Sequence, residues 1–337
     1  MNPTPRKARL VQIGFGNIGM RRTLITRAHP AIDLVGVVDI QRERLNVARE
    51  IVGERCVLGT DYTRVVQSVR PDGVIISTPN DLHAPMTKTC LDLGAHVLCE
   101  KPLAVNATLA GRCVAHARRK GLRLKVGSNH RFWRGVRETL GFVRAGAIGA
   151  VTRIEGEIGY LLPDVRSDWY REIEHSGGGT MIDNGPHLID VVGQILRLSG
   201  DDRIARVRCA TSRDFFGLEV EDQARGTMVS ARGRTVEIAA TWSDGDYRMK
   251  LDVQGERGRI VLSGFEPLIV ETAAGVVRRD LSDAPATESW ELDVDDFVRA
   301  ILHGREPWGS GADGLCSVRV IDALYESARR GSEEIPL

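Results

Sequence analysis

The first 128 residues alternate short β-branched runs with helical patterns, and this alternation limits the fold more than any other feature of the chain. Strand patterns occupy residues 9–13, 34–39, 55–58, 73–77, 96–100 and 123–127, and helical patterns begin near Asn17, Arg42, Asp61, Ala84 and Asn106. Strands separated by helices form parallel sheets, and strands covered on both faces are apolar throughout. The pattern therefore predicts a doubly wound α/β domain over residues 1–128.

The pattern changes after Gly127. Alternating segments at 204–211, 223–231, 235–242, 248–254 and 259–262 predict one large, mostly antiparallel sheet. We expect helices to cover one face of this sheet and the other face, partly apolar, to be buried between subunits. A second α/β domain is thus predicted over residues 129–337. Its last helical pattern, at about 312–330, is a candidate to pack back on the first domain.

Composition narrows the class of partner. The 337 residues carry 46 basic and 45 acidic side chains, so the net charge of +1 gives no field that would attract nucleic acid or an anionic membrane. No run of about 18 apolar residues is present, and no apolar core follows the N-terminal charges. The six cysteines form no C-x-x-C pair, which favours buried, reduced thiols. We expect a cytoplasmic protein with a small-molecule partner.

A G-x-G-x-x-G motif follows the first strand pattern and opens the first helical pattern. It comprises Gly14, Phe15, Gly16, Asn17, Ile18 and Gly19. Such a turn lets a pyrophosphate approach backbone amides at a helix N-terminus. Asp39 ends the second strand pattern, where a carboxylate accepts hydrogen bonds from ribose hydroxyls and repels a 2′-phosphate. NAD is therefore the predicted cofactor. Arg42 and Arg44 follow closely and could weaken this preference, so NADP stays an alternative cofactor. Taken alone, the glycine motif could also be a turn that merely connects a strand to a helix.

Two further segments stand at the carboxyl ends of predicted strands, the edge where open parallel sheets bind ligands. The fourth strand pattern runs into Ser77, Thr78, Pro79, Asn80, Asp81, Leu82 and His83, and the fifth runs into Glu100, Lys101 and Pro102. An ammonium group such as that of Lys101 can stabilise the oxygen of a reacting alcohol. A histidine at position 83 suits a positioning role.

A glycine run at 177–179 leads into Asp183, His187 and Asp190, whose spacing would place all three on one helical face. Histidine accepts a proton near neutral pH, and a neighbouring carboxylate orients it. Pro186 predicts a kink or a late helix start at this point. A capped structural helix and a metal site are the alternatives for this cluster.

The Thr-Pro-Asn-x-x-His, Glu-Lys-Pro and Gly-Gly-Gly…Asp-x-Gly-x-His…Asp segments resemble those of the Gfo/Idh/MocA family, named for glucose-fructose oxidoreductase, inositol dehydrogenase and rhizopine catabolism. The resemblance covers essentially the full length. It implies that Lys101, Asp183 and His187 are catalytic. It also implies that the second domain binds substrate and forms a homodimer or homotetramer. The cofactor cleft would be lined by Ser77, Thr78, Pro79, Asn80, His83, Glu100 and Lys101, besides the glycine motif and Asp39.

The implied activity is that of an NAD-dependent dehydrogenase or ketoreductase of a sugar, sugar derivative or cyclitol. Weaker candidates to contact this polyhydroxylated substrate, beside the catalytic group, are Asn129, Arg131, Trp169 and Arg171. Family members often have a Trp-Arg pair at the last two positions, but Tyr170 intervenes here. An NAD-dependent glycosidase that oxidises and eliminates, and a dinucleotide-binding regulator without chemistry, are the alternatives. The intact Lys-Asp-His group argues against a regulator.

Overall fold

The computed structural model describes residues 6–162 and 168–337, which group into two compact units. The first unit contains the chain up to Ser128 together with Trp290–Leu315. The second contains Asn129–Ser289 together with Cys316–Leu337. Residues 290–315, which the sequence pattern places in the second domain, therefore group with the first.

The first unit has a six-stranded parallel sheet in the order β3-β2-β1-β4-β5-β6. Its strands are β1 Ala8–Ile13, β2 Ile32–Val38, β3 Val57–Gly59, β4 Gly73–Ile76, β5 His96–Cys99 and β6 Leu124–Val126. Its crossover helices are α1 Asn17–Ala28, α2 Arg42–Val52, α3 Tyr62–Val69, α4 Asn80–Asp92 and α5 Ala107–Lys120. The predicted doubly wound fold is confirmed. Strand order reverses between β1 and β4, the position at which such sheets bind ligands.

A segment from late in the chain completes this unit. From Trp290 onward, the helix α10 (Glu288–His303) packs its apolar side chains against β1 and β4. Val294, Phe297 and Val298 share one buried cluster with Leu10 and Ile75. Burial of this apolar face explains why residues 290–315 group with the first unit.

The second unit has a nine-stranded sheet in the order β14-β13-β12-β11-β7-β10-β9-β8-β15. Its strands are β7 Val151–Leu161, β8 Ile204–Ser212, β9 Gln223–Ser230, β10 Thr235–Thr241, β11 Ser243–Gly255, β12 Gly258–Ser263, β13 Leu268–Thr272, β14 Gly275–Arg279 and β15 Ile335–Pro336. Its helices are α6 Arg134–Arg144, α7 Ile173–Ser176, α8 Thr180–Asp183, α9 Gly185–Leu198 and most of α11 Gly311–Arg329. Single 3-10 turns form at Asn129–Phe132 and Asp168–Arg171. Only the β7–β10 pair is parallel among the described strands of this sheet, so the predicted mostly antiparallel sheet is confirmed.

The two faces of this sheet differ in polarity. One face is apolar and buried, with side chains such as Ile154, Ile238 and Val253. The centre of the opposite face is charged, because Arg153 pairs with Glu155 at 2.7 Å and with Glu237 at 3.0 Å. Partly buried apolar side chains, Ala239, Val261 and Ile269, lie on the same face, so this face is mixed in polarity, and its burial between subunits stays a prediction. On the terminal strand β14, the exposed Val276 lies on this mixed face, whereas Val277 lies on the opposite face beside Val270.

Two sequence expectations concern the chain as a whole. All six cysteines are free thiols, and five of them are buried, whereas Cys316 is exposed. In the part of the chain that the structure describes, no helix is both long and apolar enough to cross a membrane.

Candidate active site

The glycine motif forms the turn between β1 and α1. Gly14 adopts φ +85°, and a Cβ atom there would lie 2.3 Å from the carbonyl oxygen of Ser77. A Cβ atom at Gly19 would lie 1.9 Å from the carbonyl oxygen of Gly14. These two glycines are therefore required by the packing of the turn itself.

Gly16 is different, because the packing of the protein does not require a glycine at this position. It is the N-cap of α1, and a Cβ atom there would have an Arg44 nitrogen, 3.9 Å away, as its nearest neighbour. No side chain caps this helix, and its first turn contains no acidic residue. Its first N–H groups are thus available to an anion, and a side chain at Gly16 would occupy the approach. The turn fits the pyrophosphate of a dinucleotide.

Asp39 follows β2 and is almost fully buried. Its carboxylate accepts a hydrogen bond from the Phe15 amide at 2.7 Å and from the Gln41 amide at 2.9 Å. Arg44 lies 3.4 Å from the same carboxylate. Asp39 therefore holds the glycine turn in place and leaves a negative charge at the end of β2, where the ribose of a dinucleotide binds.

His83, on α4, joins the two strand-end segments. Its Nδ1 lies 2.7 Å from the carbonyl oxygen of Pro102, and its Nε2 lies 3.0 Å from that of Thr78. Burial lowers the pKa of this imidazole below its ordinary value. The ring is thus held between the Thr-Pro-Asn and Glu-Lys-Pro segments, where it supports their backbones.

Glu100 precedes Lys101 at the end of β5 and belongs to a buried ion network. Arg22 on α1 donates from Nε to Glu100 at 2.8 Å, and its Nη1 lies 2.6 Å from Asp293 on α10. Lys125 on β6 lies 2.9 Å from the other oxygen of Asp293. Burial alone would lower the pKa of the Arg22 guanidinium, but the Glu100 and Asp293 carboxylates raise it above its ordinary value. The Glu100 carboxylate is therefore occupied by its ion pair with Arg22, and this pair fixes the backbone next to Lys101.

Asp296 extends this network towards the surface. Its carboxylate lies 3.0 Å from Lys125 and 2.6 Å from the half-exposed Arg305. The network thus contains equal numbers of opposite charges: the carboxylates of Glu100, Asp293 and Asp296, and the cations of Arg22, Lys125 and Arg305. This pairing explains how the network tolerates burial, because an unpaired charge there would carry a large desolvation penalty.

In the second unit, Asp183 is the last residue of α8 and is buried. Its carboxylate accepts hydrogen bonds from the Trp242 indole at 3.0 Å and from the Tyr160 hydroxyl. Both donors are neutral, so they orient the carboxylate without cancelling its charge.

The glycine run before Asp183 is required by a close approach of two backbones. A Cβ atom at Gly179 would lie 1.8 Å from the carbonyl oxygen of Glu221. The Glu221 carboxylate accepts from the amides of Gly179 and Met181, both at 2.9 Å, and from the Tyr325 hydroxyl at 2.8 Å. Burial raises the pKa of Glu221 above its ordinary value. This carboxyl group therefore holds the start of α8, on which Asp183 depends.

His187 lies in the first turn of α9, which begins at Gly185 with Pro186 in a position proline tolerates. The predicted late helix start is thus confirmed. The ring of His130 packs on His187 with centroids 3.7 Å apart, and Trp133 stacks on His130 at 4.2 Å. The Tyr247 hydroxyl hydrogen-bonds to Nε2 of His130. Asp190 does not join this group, because it forms a buried pair with Arg131, whose Nε donates to it at 2.6 Å.

The other substrate candidates differ in their surroundings. Asn129 is buried, and its side chain lies between His130, at 3.2 Å, and Ser289, at 3.3 Å. Trp169 stacks on Tyr170 with centroids 3.8 Å apart in the turn that ends at Arg171. Tyr170 in turn packs against the cluster containing Tyr160 and Trp242, the two donors to Asp183.

Several residues of this site carry no sequence signal. They are Tyr160, Glu221, Trp242, Tyr247 and Tyr325, contributed by separate strands, loops and helices. Within residues 6–162 and 168–337, no group of three or more histidine, cysteine or acidic side chains is arranged to hold a metal ion.

Comparison with known proteins agrees with both units. Residues 8–128 match the family model described as oxidoreductase family, NAD-binding Rossmann fold. Residues 136–261 match the GFO/IDH/MocA C-terminal domain.

Individual relatives match over nearly their whole length. D-xylose 1-dehydrogenase (NADP(+)) 2 of Haloferax volcanii is 25% identical over 95% of this chain and 97% of its own. Inositol 2-dehydrogenase of Rubrobacter xylanophilus is 27% identical over 96% and 91%, respectively. The crystal structure of aldose-aldose oxidoreductase from Caulobacter crescentus, complexed with glycerol, superposes with a TM-score of 0.86 at 26% identity, covering 98% of this chain and 100% of that one. The two family models together match most of the chain, which belongs to the Gfo/Idh/MocA family of oxidoreductases and carries an NAD-binding Rossmann domain.

Proposed function

We propose that the protein transfers a hydride between a nicotinamide cofactor and a secondary alcohol or ketone of a sugar, sugar derivative or cyclitol. The observation that carries the proposal is the buried Asp183 carboxylate, fixed by Trp242 and Tyr160 in the segment that leads to His187. A fixed negative charge near a histidine stabilises the protonated form of its ring and so favours uptake of a proton. The relatives named for D-xylose and inositol supply the substrate class.

Each residue of the proposed catalytic group has one task. In the oxidising direction His187 accepts the hydroxyl proton while the C–H bond breaks and the C=O bond forms. Asp183 orients His187 and stabilises its charged form, and Lys101 stabilises the charge that develops on the substrate oxygen. When bound, the nicotinamide accepts the hydride and its electron pair.

Side-chain contacts within the second unit change which residues we propose to bind the substrate. Trp169 and Arg171 are retained as contacts to a polyhydroxylated ligand. Asn129 contacts His130 and Arg131 pairs with Asp190, so we assign these two residues to the support of the site.

A screen of sugars and cyclitols for a change in absorbance at 340 nm tests this function, with glycoside cleavage assayed in parallel. Net reduction of NAD by a polyol without cleavage supports the dehydrogenase. Cleavage without net redox change would identify the oxidation-elimination glycosidase instead. Dinucleotide binding without any turnover would indicate a regulator.

The position of Asp39 predicts a preference for NAD(H). A 2′-phosphate would meet its fixed carboxylate, so we expect NADP(H) to bind at least about tenfold more weakly, equivalent to about 1.4 kcal/mol. Titration of both cofactors against intrinsic tryptophan fluorescence measures this ratio, and Asp39→Ser should reduce it. Tighter binding of NADP(H) by the wild type would refute the prediction and make Arg44, 3.4 Å from Asp39, a phosphate ligand.

We also propose that the open sheet of the second unit forms a homodimer or homotetramer. Its uncovered face carries the ion pairs of Arg153 and, on the edge strand β14, the exposed side chain of Val276. Light scattering at micromolar concentration should therefore give two or four times the chain mass of 37.0 kDa. A single species at the monomer mass would exclude this assembly.

A further inference from the structure

We propose that Tyr160 and Trp242 are positioning residues that weaken the basicity of the Asp183 carboxylate and so limit how tightly His187 holds the proton that it accepts. The inference rests on the proposed role of His187 as proton acceptor and deepens it. It gives a chemical effect to two hydrogen-bond donors that belong to none of the sequence motifs.

Both donors reach the same oxygen of Asp183. The Trp242 indole donates from Nε1 to Oδ2 at 3.0 Å, and the Tyr160 hydroxyl also donates to Oδ2. An indole N–H can only donate, and an oxygen that accepts two hydrogen bonds belongs best to an ionised carboxylate. The two contacts therefore stabilise the negative form of Asp183.

The two donors are shielded from solvent. Trp242 is 0% exposed and Tyr160 is 9% exposed, and both belong to one buried cluster with Leu162 and Val220. In such apolar surroundings a hydrogen bond to a charged oxygen is stronger than at the surface. Loss of either donor should therefore change the charge distribution of the carboxylate.

Asp183 lies about one helical turn before His187. The single residue between α8 and α9, Asn184, has right-handed helical backbone angles, φ −92° and ψ −39°. Residues four apart on a helix have Cβ atoms about 5–6 Å apart. The charge of Asp183 therefore acts on the His187 ring, and a change in that charge changes the proton affinity of the ring.

Other titratable and charged groups surround this pair. On the elements packed near α8 and α9 they are His130 and Arg131 in the 3-10 turn, Asp190 on α9, Glu221 before β9, Tyr247 on β11 and Tyr325 on α11. Arg131 and Asp190 form a buried ion pair, and Tyr325 donates to Glu221. These groups are unchanged in every variant used below, so they contribute equally to each protein compared.

The chemical consequence concerns release of the proton. A residue that accepts a proton during alcohol oxidation must return it during ketone reduction, which requires a proton affinity near the working pH. A carboxylate without other donors would stabilise the imidazolium strongly and make it a poor acid. With two neutral donors on Oδ2, Asp183 still orients His187 but stabilises its charged form less.

Nuclear magnetic resonance of the full chain with NAD bound tests the inference without any sugar substrate. The chain is labelled with ¹³C at histidine Cε1, and the His187 signal is assigned from its loss in His187→Gln. Tyr160→Phe removes one donor and keeps the ring, so we expect the pKa of His187 to rise by about 0.5–1 pH unit, or about three- to tenfold in proton affinity. Tyr62→Phe, on α3, is the matched control and should leave this pKa unchanged. An unchanged or lower pKa in Tyr160→Phe would overturn the inference.

A double variant shows whether the effect passes through Asp183. Asp183→Asn removes the negative charge, so adding Tyr160→Phe to it should shift the pKa of His187 by less than about half of the shift seen with Asp183 intact. Equal shifts in the two backgrounds would mean that Tyr160 acts on His187 directly, and would overturn the inference. Trp242→Phe, which loses the N–H and keeps an aromatic ring, should also raise this pKa, and an unchanged value would remove Trp242 from the assignment.

The pH profile of turnover separates this inference from the proposed function. On a verified substrate with saturating NAD, the acidic limb of kcat/KM in Tyr160→Phe should move to higher pH by the same amount as the pKa of His187. If the pKa rises and the limb stays in place, the effect on His187 holds and its role as proton acceptor is refuted. A lower kcat with neither change would show a packing role of Tyr160 and overturn the inference.

Discussion

Replacement of His187 or Lys101 by alanine should each lower turnover by at least about 10²-fold, the lower range for a positioned proton-transfer group, and leave NAD affinity within a few-fold. The pyrophosphate and ribose depend on the turn from Gly14 and on Asp39, both of which lie far from His187 and Lys101 in the sequence. Loss of a proton acceptor weakens the transition state far more than the bound dinucleotide. Steady-state kinetics on a verified substrate and fluorescence titration of NAD measure the two quantities separately.

Three comparisons sharpen this experiment. Asp183→Asn should give a smaller loss, because the amide is isosteric but cannot stabilise the imidazolium. His303→Ala, at an exposed position at the end of α10, is the matched control and should retain full turnover. Near-wild-type turnover of His187→Ala across pH 6 to 9 would place the proton acceptor elsewhere.

Arg22→Met should lower the free energy of unfolding by about 3–5 kcal/mol, the cost of removing one partner from a buried ion pair. The variant leaves the Glu100 and Asp293 carboxylates buried without the guanidinium that lies between them. Methionine retains most of the apolar length of the side chain, so the loss reports mainly on charge. Urea denaturation of the full chain, followed by circular dichroism, measures the difference.

Two variants separate charge from packing. Lys88→Met breaks an exposed pair with Asp92 and should cost less than about 1 kcal/mol. Adding Glu100→Gln to Arg22→Met leaves two carboxylates, Asp293 and Asp296, with two cations, Lys125 and Arg305, and should restore part of the lost stability. A stability of Arg22→Met within about 1 kcal/mol of the wild type would contradict the assignment of this network.

The fold of the first unit was predictable because each of its signals is local. Its buried strands are apolar, its turn at Gly14 needs a glycine, and Pro186 marks the start of α9 in the second unit in the same local way. The strand β14 has no such signal, because all five of its residues are exposed and no alternation arises. The start of α4 at Asn80 was also missed, since Pro85 lies inside that helix rather than in its first turn.

For the candidate site, sequence motifs could propose residues but not their contacts. The spacing of Asp183, His187 and Asp190 indicates a common helical face. However, the helix is interrupted between Asp183, at the end of α8, and the start of α9, and Asp190 pairs with Arg131. Donors such as Trp242 reach Asp183 from strands whose register no local pattern specifies. Partners distant in sequence come together only through the tertiary fold, so residue types alone could not identify them.

The return of Trp290–Leu315 to the first unit has a consequence for the nascent chain. Until these residues leave the ribosome, the apolar surface that Phe297 covers stays open, and Arg22 and Lys125 lack the Asp293 counter-ion. At 5–20 residues per second, translation from Ser128 to Leu315 takes roughly 10–40 s. The first unit therefore completes its core only after most of the chain has been synthesised, and we expect its open apolar surface to favour chaperone binding during that interval.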